Sequence, residues 1–172
     1  NTHRIKVFEG YPINQPPEAV CTDIEAALDE NGEATILASD VDGGSIDPDG
    51  DPINLSVDKT VFTCDDLGEN QVTLTVTDDM GAEDSCTATV TAADVTPPEV
   101  LCSVTPGDSH GKKEINFSAA DNCTEFAEGQ IELEFNGKYK LELDIFIWEI
   151  ESSTNELNVK ATDDYGNEGT CN

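Results

Sequence analysis

Basic residues are scarce in this 172-residue chain: 8 Lys and Arg stand against 37 Asp and Glu, for a formal net charge of −29. Such a surface cannot neutralise phosphates, so nucleic acid is excluded as a partner. An anionic bilayer surface is excluded for the same reason. Long apolar runs are missing too. The longest, LDIFIWEI at 143–150, is strand-sized and far short of the ~20 residues of a transmembrane helix, so no membrane insertion is expected. Histidine is almost absent: His3 and His110 lie far apart, which rules out an HExxH pair or a His-bearing triad. No GxSxG, P-loop or GxGxxG occurs, and acidic pairs suited to glycoside hydrolysis are so numerous that they specify nothing. The chain is not expected to be an enzyme. Its first residues, NTHRIKVFEG, lack the apolar centre of a signal peptide, so residue 1 reads as the middle of a longer precursor.

What is present repeats itself. PPEAVC at 16–21 returns as PPEVLC at 97–102, and VTLTVTDDMGAEDSC at 72–86 returns as LNVKATDDYGNEGTC at 157–171. LASD at 37–40 is matched more weakly by SAAD at 118–121. Shared markers at the start, middle and end of each unit imply two copies of one module of ~80 residues. The expected division is 1–15 as the tail of a preceding module, 16–96 as the first domain and 97–172 as the second, its last strand cut short.

Within each copy, Thr alternates with Val or Leu in TATVT and QVTLTVT, the pattern of half-buried antiparallel strands. LDENGEATI and LEFNGKYKLEL place Asn-Gly between strand-like arms, a hairpin signal. Only TDIEAALDE carries helical periodicity, and it also reads as a strand. The hydrophobic content of 37%, in regular alternation, argues for folding despite the charge. The expected class is all-β: two tandem immunoglobulin-like β-sandwich domains with about seven short strands each.

PPEAVC, ASDVD or AADNC, TVFTCDDLGENQVTLTVTDDMGAEDSC and the VTPPEV linker together resemble hyalin repeat (HYR) and related PKD-like modules, over residues 16–172. They look most like the versions strung together in large secreted or surface proteins of marine and gliding bacteria. DPDGD in the first unit, where many relatives have DNC, also looks like bacterial cadherin-like repeats. The resemblance implies an extracellular or cell-surface, non-catalytic module used in adhesion or spacing, with neighbouring repeat modules as partners.

The acids concentrate in loops. SIDPDGDPINL, residues 45–55, sets Asp47, Asp49 and Asp51 at alternate positions on a Pro/Gly turn. In an immunoglobulin-type sandwich the loops after strands 2 and 6 return to the pole where the chain comes in. Those loops carry Asp40, Asp42, Asp47, Asp49, Asp51, Asp78, Asp79 and Asp84 in the first unit, and Asp121, Asn122, Asp163, Asp164, Asn167 and Glu168 in the second, with Asp94 arriving from the linker. Asp29, Glu30, Asp65 and Asp66 mark the opposite pole of the first unit. Calcium, a hard cation taking six to eight oxygen ligands, would relieve this crowding. The competing reading is plain turn chemistry, since Asp, Asn, Pro and Gly are ordinary turn formers. An EF-hand is not expected, because Asp58 stands where that loop needs Glu.

Six cysteines, Cys21, Cys64, Cys86, Cys102, Cys123 and Cys171, allow 15 pairings. Cys21 and Cys102 begin the first strands of their units and Cys86 and Cys171 the last, which favours Cys21–Cys86 and Cys102–Cys171. The remainders, Cys64 and Cys123, face the same junction and are expected either to form a Cys64–Cys123 bridge or to stay as two buried thiols. Sequons at Asn54, Asn116 and Asn122 would matter only in a eukaryotic secretory pathway. Phe146, Trp148 and Ile150 share one strand face and Leu143, Ile145 and Ile147 the other; with Tyr139, Trp148 reads either as core or as a sugar-stacking platform. Two functions stay open: a calcium-stiffened spacer or adhesion segment, and an accessory module that grips a polysaccharide or protein ligand. Trp148 has no counterpart in the first unit, which favours the spacer.

Overall fold

Alternation of small polar and branched apolar residues gives this chain strands wherever it is regular. The computed structural model describes residues 13–106, 112–125, 127–134, 137–143, 146–152 and 157–172. Side-chain surroundings are described for 13–105, 115–125 and 157–172, so Tyr139, Phe146 and Trp148 lie outside them, as do both histidines. No α-helix occurs among the described residues, and none is long and apolar enough to cross a membrane. TDIEAALDE resolves as strand β1, Ile24–Leu28, its apolar positions burying alternately.

The further strands are β2 (Glu33–Thr35), β3 (Asn54–Val57), β4 (Val61–Thr63), β5 (Gly68–Thr77), β6 (Glu83–Asp94), β7 (Glu99–Pro106), β8 (Lys112–Ala120), β9 (Ala127–Glu134), β10 (Gly137–Leu143), β11 (Phe146–Ser152), β12 (Leu157–Thr162) and β13 (Glu168–Cys171). They form sheets in the orders β1-β6-β5-β3, β2-β4, β7-β8-β9 and β10-β11-β12-β13. The pairs β3–β5, β2–β4, β7–β8–β9 and β10–β11–β12–β13 are antiparallel, for example Asn54 opposite Thr77, Cys102 opposite Phe117 and Val159 opposite Cys171. The Asn31-Gly32 turn does close, with Asp29 N–H donating to the Glu33 carbonyl at 2.9 Å. Its two arms then join different sheets instead of pairing as a hairpin.

By contacts, the chain forms two units. One comprises Asn1–Ile24, Ile36–Thr60 and Gln71–Val90; the other comprises Glu25–Thr35, Val61–Asn70 and Thr91–Asn172. Strands β1, β5 and β6 run from one into the other. In the first unit, Val72, Leu74 and Val76 on β5 are fully buried while the intervening threonines are half-buried. The second unit has a core of Val100, Ile115, Phe117, Ala119, Val159 and Ala161, with Cys102, Leu157 and Cys171 packed against it. Each buried Val, Leu, Ile or Phe among them contributes roughly 1.5–3 kcal/mol, set against the entropy of ordering the chain.

Covalent staples add to it. Disulfides join Cys21 to Cys86, Cys64 to Cys123 and Cys102 to Cys171, and no cysteine is free. They close separations of 65, 59 and 69 residues, each contributing about 4 kcal/mol on the chain-entropy account. Three disulfides point to an oxidising environment. Cys64 belongs to the first sequence repeat and Cys123 to the second, yet both lie within one contact unit.

Candidate metal centre

Aspartate shapes a turn by accepting backbone N–H groups two and four residues on, and one carboxylate oxygen is enough for that. The other is then left for a ligand. Asp78 and Asp163 show the turn twice over: Asp78 Oδ1 accepts from Met80 and Ala82 N–H at 2.9 and 2.8 Å, and Asp163 Oδ1 from Tyr165 and Asn167 N–H at 2.9 and 2.8 Å. Gly81 and Gly166 complete these turns at φ of 85° and 89°, a conformation that disfavours other residues.

In the second unit Asp163 meets Asp94, at the end of β6, and Asp121, just after β8. One carboxylate oxygen from each lies within 4.8 Å of the others. Asp94 and Asp163 are 6% and 5% exposed, so the cluster is nearly sealed from water. Asp94 Oδ1 accepts from Thr96 N–H at 3.1 Å and Asp121 Oδ2 from Cys123 N–H at 3.1 Å. Their second oxygens, Asp94 Oδ2 and Asp121 Oδ1, are buried without a hydrogen-bond partner. Asn167 braces the group by donating Nδ2 to the Asp94 carbonyl and to Asp163 Oδ2, at 3.2 and 3.0 Å. Burial, and then the charges of Asp94 and Asp163, raise the pKa of Asp121, offset in part by the N–H groups of Cys123 and Asn122. At an effective dielectric near 20, each pair of charges at that spacing repels by roughly 3 kcal/mol. Bare buried carboxylate oxygens converging in this way could hold a hard divalent cation. Thr124 Oγ1 and Asn122 Oδ1, from the same turn, are also buried and unpartnered.

The first unit gathers Asp47, Asp49 and Asp51 within the same 4.8 Å limit, but more openly. Asp47 Oδ1 holds the turn by accepting from Asp49 and Asp51 N–H at 2.8 and 3.3 Å, and Oδ2 is buried and unpartnered. Partial burial raises the pKa of Asp51, and Asp79, Asp47, Asp49 and Asp78 raise it further. Asp49 is held the other way, its carboxylate favoured by hydrogen bonds from Gln15 N and Nε2 at 2.7 and 2.9 Å. Asn14 donates Nδ2 to Asp78 Oδ2 at 2.8 Å, which lowers the Asp78 pKa, and Asn14 Oδ1 is buried and unpartnered. The segment before Pro16-Pro17 therefore reaches the acidic loops of its unit, just as Asp94, before Pro97-Pro98, reaches those of the other.

Other acids considered from sequence serve their own turns. Asp29 accepts from Asn31 and Glu33, Asp40 from Leu37 N–H at 2.7 Å, Asp42 from Ser45, and Asp66 from Thr63 N–H at 3.0 Å. Asp65, Asp79 and Asp164 are exposed. Sequence reasoning gave no role to Asn14 or Thr124. The available signal for Asn14 was its place two residues ahead of the Pro-Pro pair, one position beyond the one that matches Asp94. No protein-family model matches this sequence, and no curated protein matches it.

Proposed function

We propose that this chain is a calcium-stabilised extracellular segment, two tandem immunoglobulin-like modules of the HYR or PKD-like kind, acting as a spacer or adhesion stalk within a larger surface or secreted protein. The observation that carries the reading is the Asp94, Asp121 and Asp163 group, with two sealed oxygens that have no partner. An ion there draws together the segment leading into the second repeat, the turn after β8 and the turn after β12. A second acidic group, at Asp47, Asp49 and Asp51 on a single turn, supports more than one such site in the chain. The three disulfides and the charge of −29 suit an exported protein whose stiffness depends on ambient calcium.

Thermal melting tests it. A cation at 100 times its Kd stabilises by ~2.7 kcal/mol, worth roughly 5–10 °C in a chain of this size. EDTA should lower Tm by that order, and magnesium should restore it poorly because of its rigid octahedral shell. Replacing Asp94, Asp121 and Asp163 together by Asn should remove this site's share of the calcium response and leave that of the Asp47, Asp49 and Asp51 group. Superimposable melts of the natural chain in calcium and in EDTA would defeat the proposal.

A further inference from the structure

The turn that carries Asp121 is fastened at three successive residues. Asp121 offers its unpartnered Oδ1 to the cluster while Oδ2 accepts from Cys123 N–H. Asn122 donates Nδ2 to the Asp29 carbonyl at 2.8 Å. Cys123 is bonded to Cys64. Behind them the Asp29–Gly32 turn presses close. Cys64 Sγ lies 3.4 Å from the Asn122 carbonyl oxygen, and a Cβ at Gly32 would stand 2.6 Å from that sulfur. Cys123 thus both anchors the turn covalently and, through its N–H, aims the Asp121 carboxylate.

Three carboxylates that repel one another need something other than the ion to keep them converged. Asp163 is fixed by its own turn, and Asp94 by Thr96 and the end of β6. Asp121 alone sits on an irregular turn, and that turn is pinned by a disulfide. We infer that the Cys64–Cys123 bridge positions Asp121 in the Asp94, Asp121 and Asp163 cation site, so that calcium affinity there depends on the oxidation state of this one disulfide. The inference rests on the calcium reading above.

Reduction by a dithiol breaks the Sγ–Sγ bond in two exchange steps. The reagent supplies two electrons and two protons, two cysteine thiols form, and the reagent leaves as a cyclic disulfide. With Cys123 released, the repulsion from Asp94 and Asp163 moves Asp121 out of the cluster. Linkage requires the converse: bound calcium favours the oxidised bridge by the same factor. Supporting groups around metal ligands are worth 10–100-fold in affinity, which sets the size expected.

The test is calorimetric titration with calcium chloride of the natural chain and of a C64A/C123A variant. One of two sites should weaken at least tenfold, while the Asp47, Asp49 and Asp51 site stays unchanged and reports that the first unit is folded; circular dichroism and a cooperative melt like the natural chain's report the second. Unchanged affinity at both sites overturns the inference and leaves the calcium reading standing. No calcium binding in the natural chain overturns the calcium reading and this inference with it. Should the variant unfold, the natural chain is equilibrated with dithiothreitol in calcium and in EDTA, and reduced Cys64 and Cys123 are counted by alkylation and mass spectrometry. Calcium should shift that equilibrium at least tenfold toward the bridge, an effect lost in D94N/D163N. Equal reduction in both conditions overturns the inference.

Discussion

An aspartate that only closes a turn and one placed where it could hold an ion present the same letter, and in this chain they often present the same turn. Asp40 and Asp121 occupy matching places in LASD and SAAD. Asp40 spends its carboxylate on Leu37 N–H, whereas Asp121 keeps one oxygen bare among other acids. The difference lies in the loop 41–51, which brings Asp47, Asp49 and Asp51 into the first unit's cluster. Alternating aspartates and Asp94 ahead of Pro-Pro were legible in sequence, but which oxygen stays free was not. That is settled by backbone N–H geometry two and four residues on. Acid titration exposes the carboxylates that are spent on backbone N–H groups. Asp58 Oδ1 accepts from Thr73 N–H at 2.9 Å, which holds its pKa below the usual carboxylate value. A depressed pKa in the folded state means stability that is full above the unfolded value and is lost as pH falls through the folded one. Asp51 and Asp121 have the opposite sign, their raised values making ionisation oppose folding as pH rises above the unfolded value. In EDTA, Asp58→Asn should therefore lower the urea midpoint at about pH 5 and converge with the natural chain near pH 2. A constant offset across that range would contradict the assignment.

Strands were legible where Thr alternated with Val or Leu, because a half-buried strand fixes its register through that period. β5 and β6 are the clearest cases. The fate of Asn31-Gly32 was not legible, since local turn chemistry sets the reversal but not the sheets its arms join. Here β2 pairs with β4 and β1 with β6, a tertiary choice. Gly32 makes the consequence measurable. It sits at φ +73°, and an added Cβ would meet Cys64 Sγ at 2.6 Å. Gly50 has a similar φ of +84° but open space around its missing Cβ. Gly50→Ala should cost about 1 kcal/mol for backbone strain alone, and Gly32→Ala clearly more, about 2–3 kcal/mol, because a disulfide cannot swing aside. Denaturant midpoints check this, and equal losses at the two positions would contradict it.

At the scale of the whole chain, repetition was the most informative signal in the sequence. It phased the cysteines, so that first and last strands of each copy supplied one bridge and the remainders the third, as the structure has them. It did not reveal that contacts group Cys64 with Cys123, because the units formed by contacts interleave segments distant in sequence. The chain's three staples and its excess of carboxylate fit the proposed account, in which calcium adds to what the disulfides and apolar burial supply. Direct calcium titration of the EDTA-stripped chain tests that account most plainly. It predicts saturable binding approaching two ions per chain, with affinity in the ~10⁻⁴–10⁻³ M range of extracellular modules. One ion should be lost in D47N/D49N/D51N and the other in D94N/D121N/D163N. No saturable binding at millimolar calcium, or the same curve for both variants as for the natural chain, would contradict it.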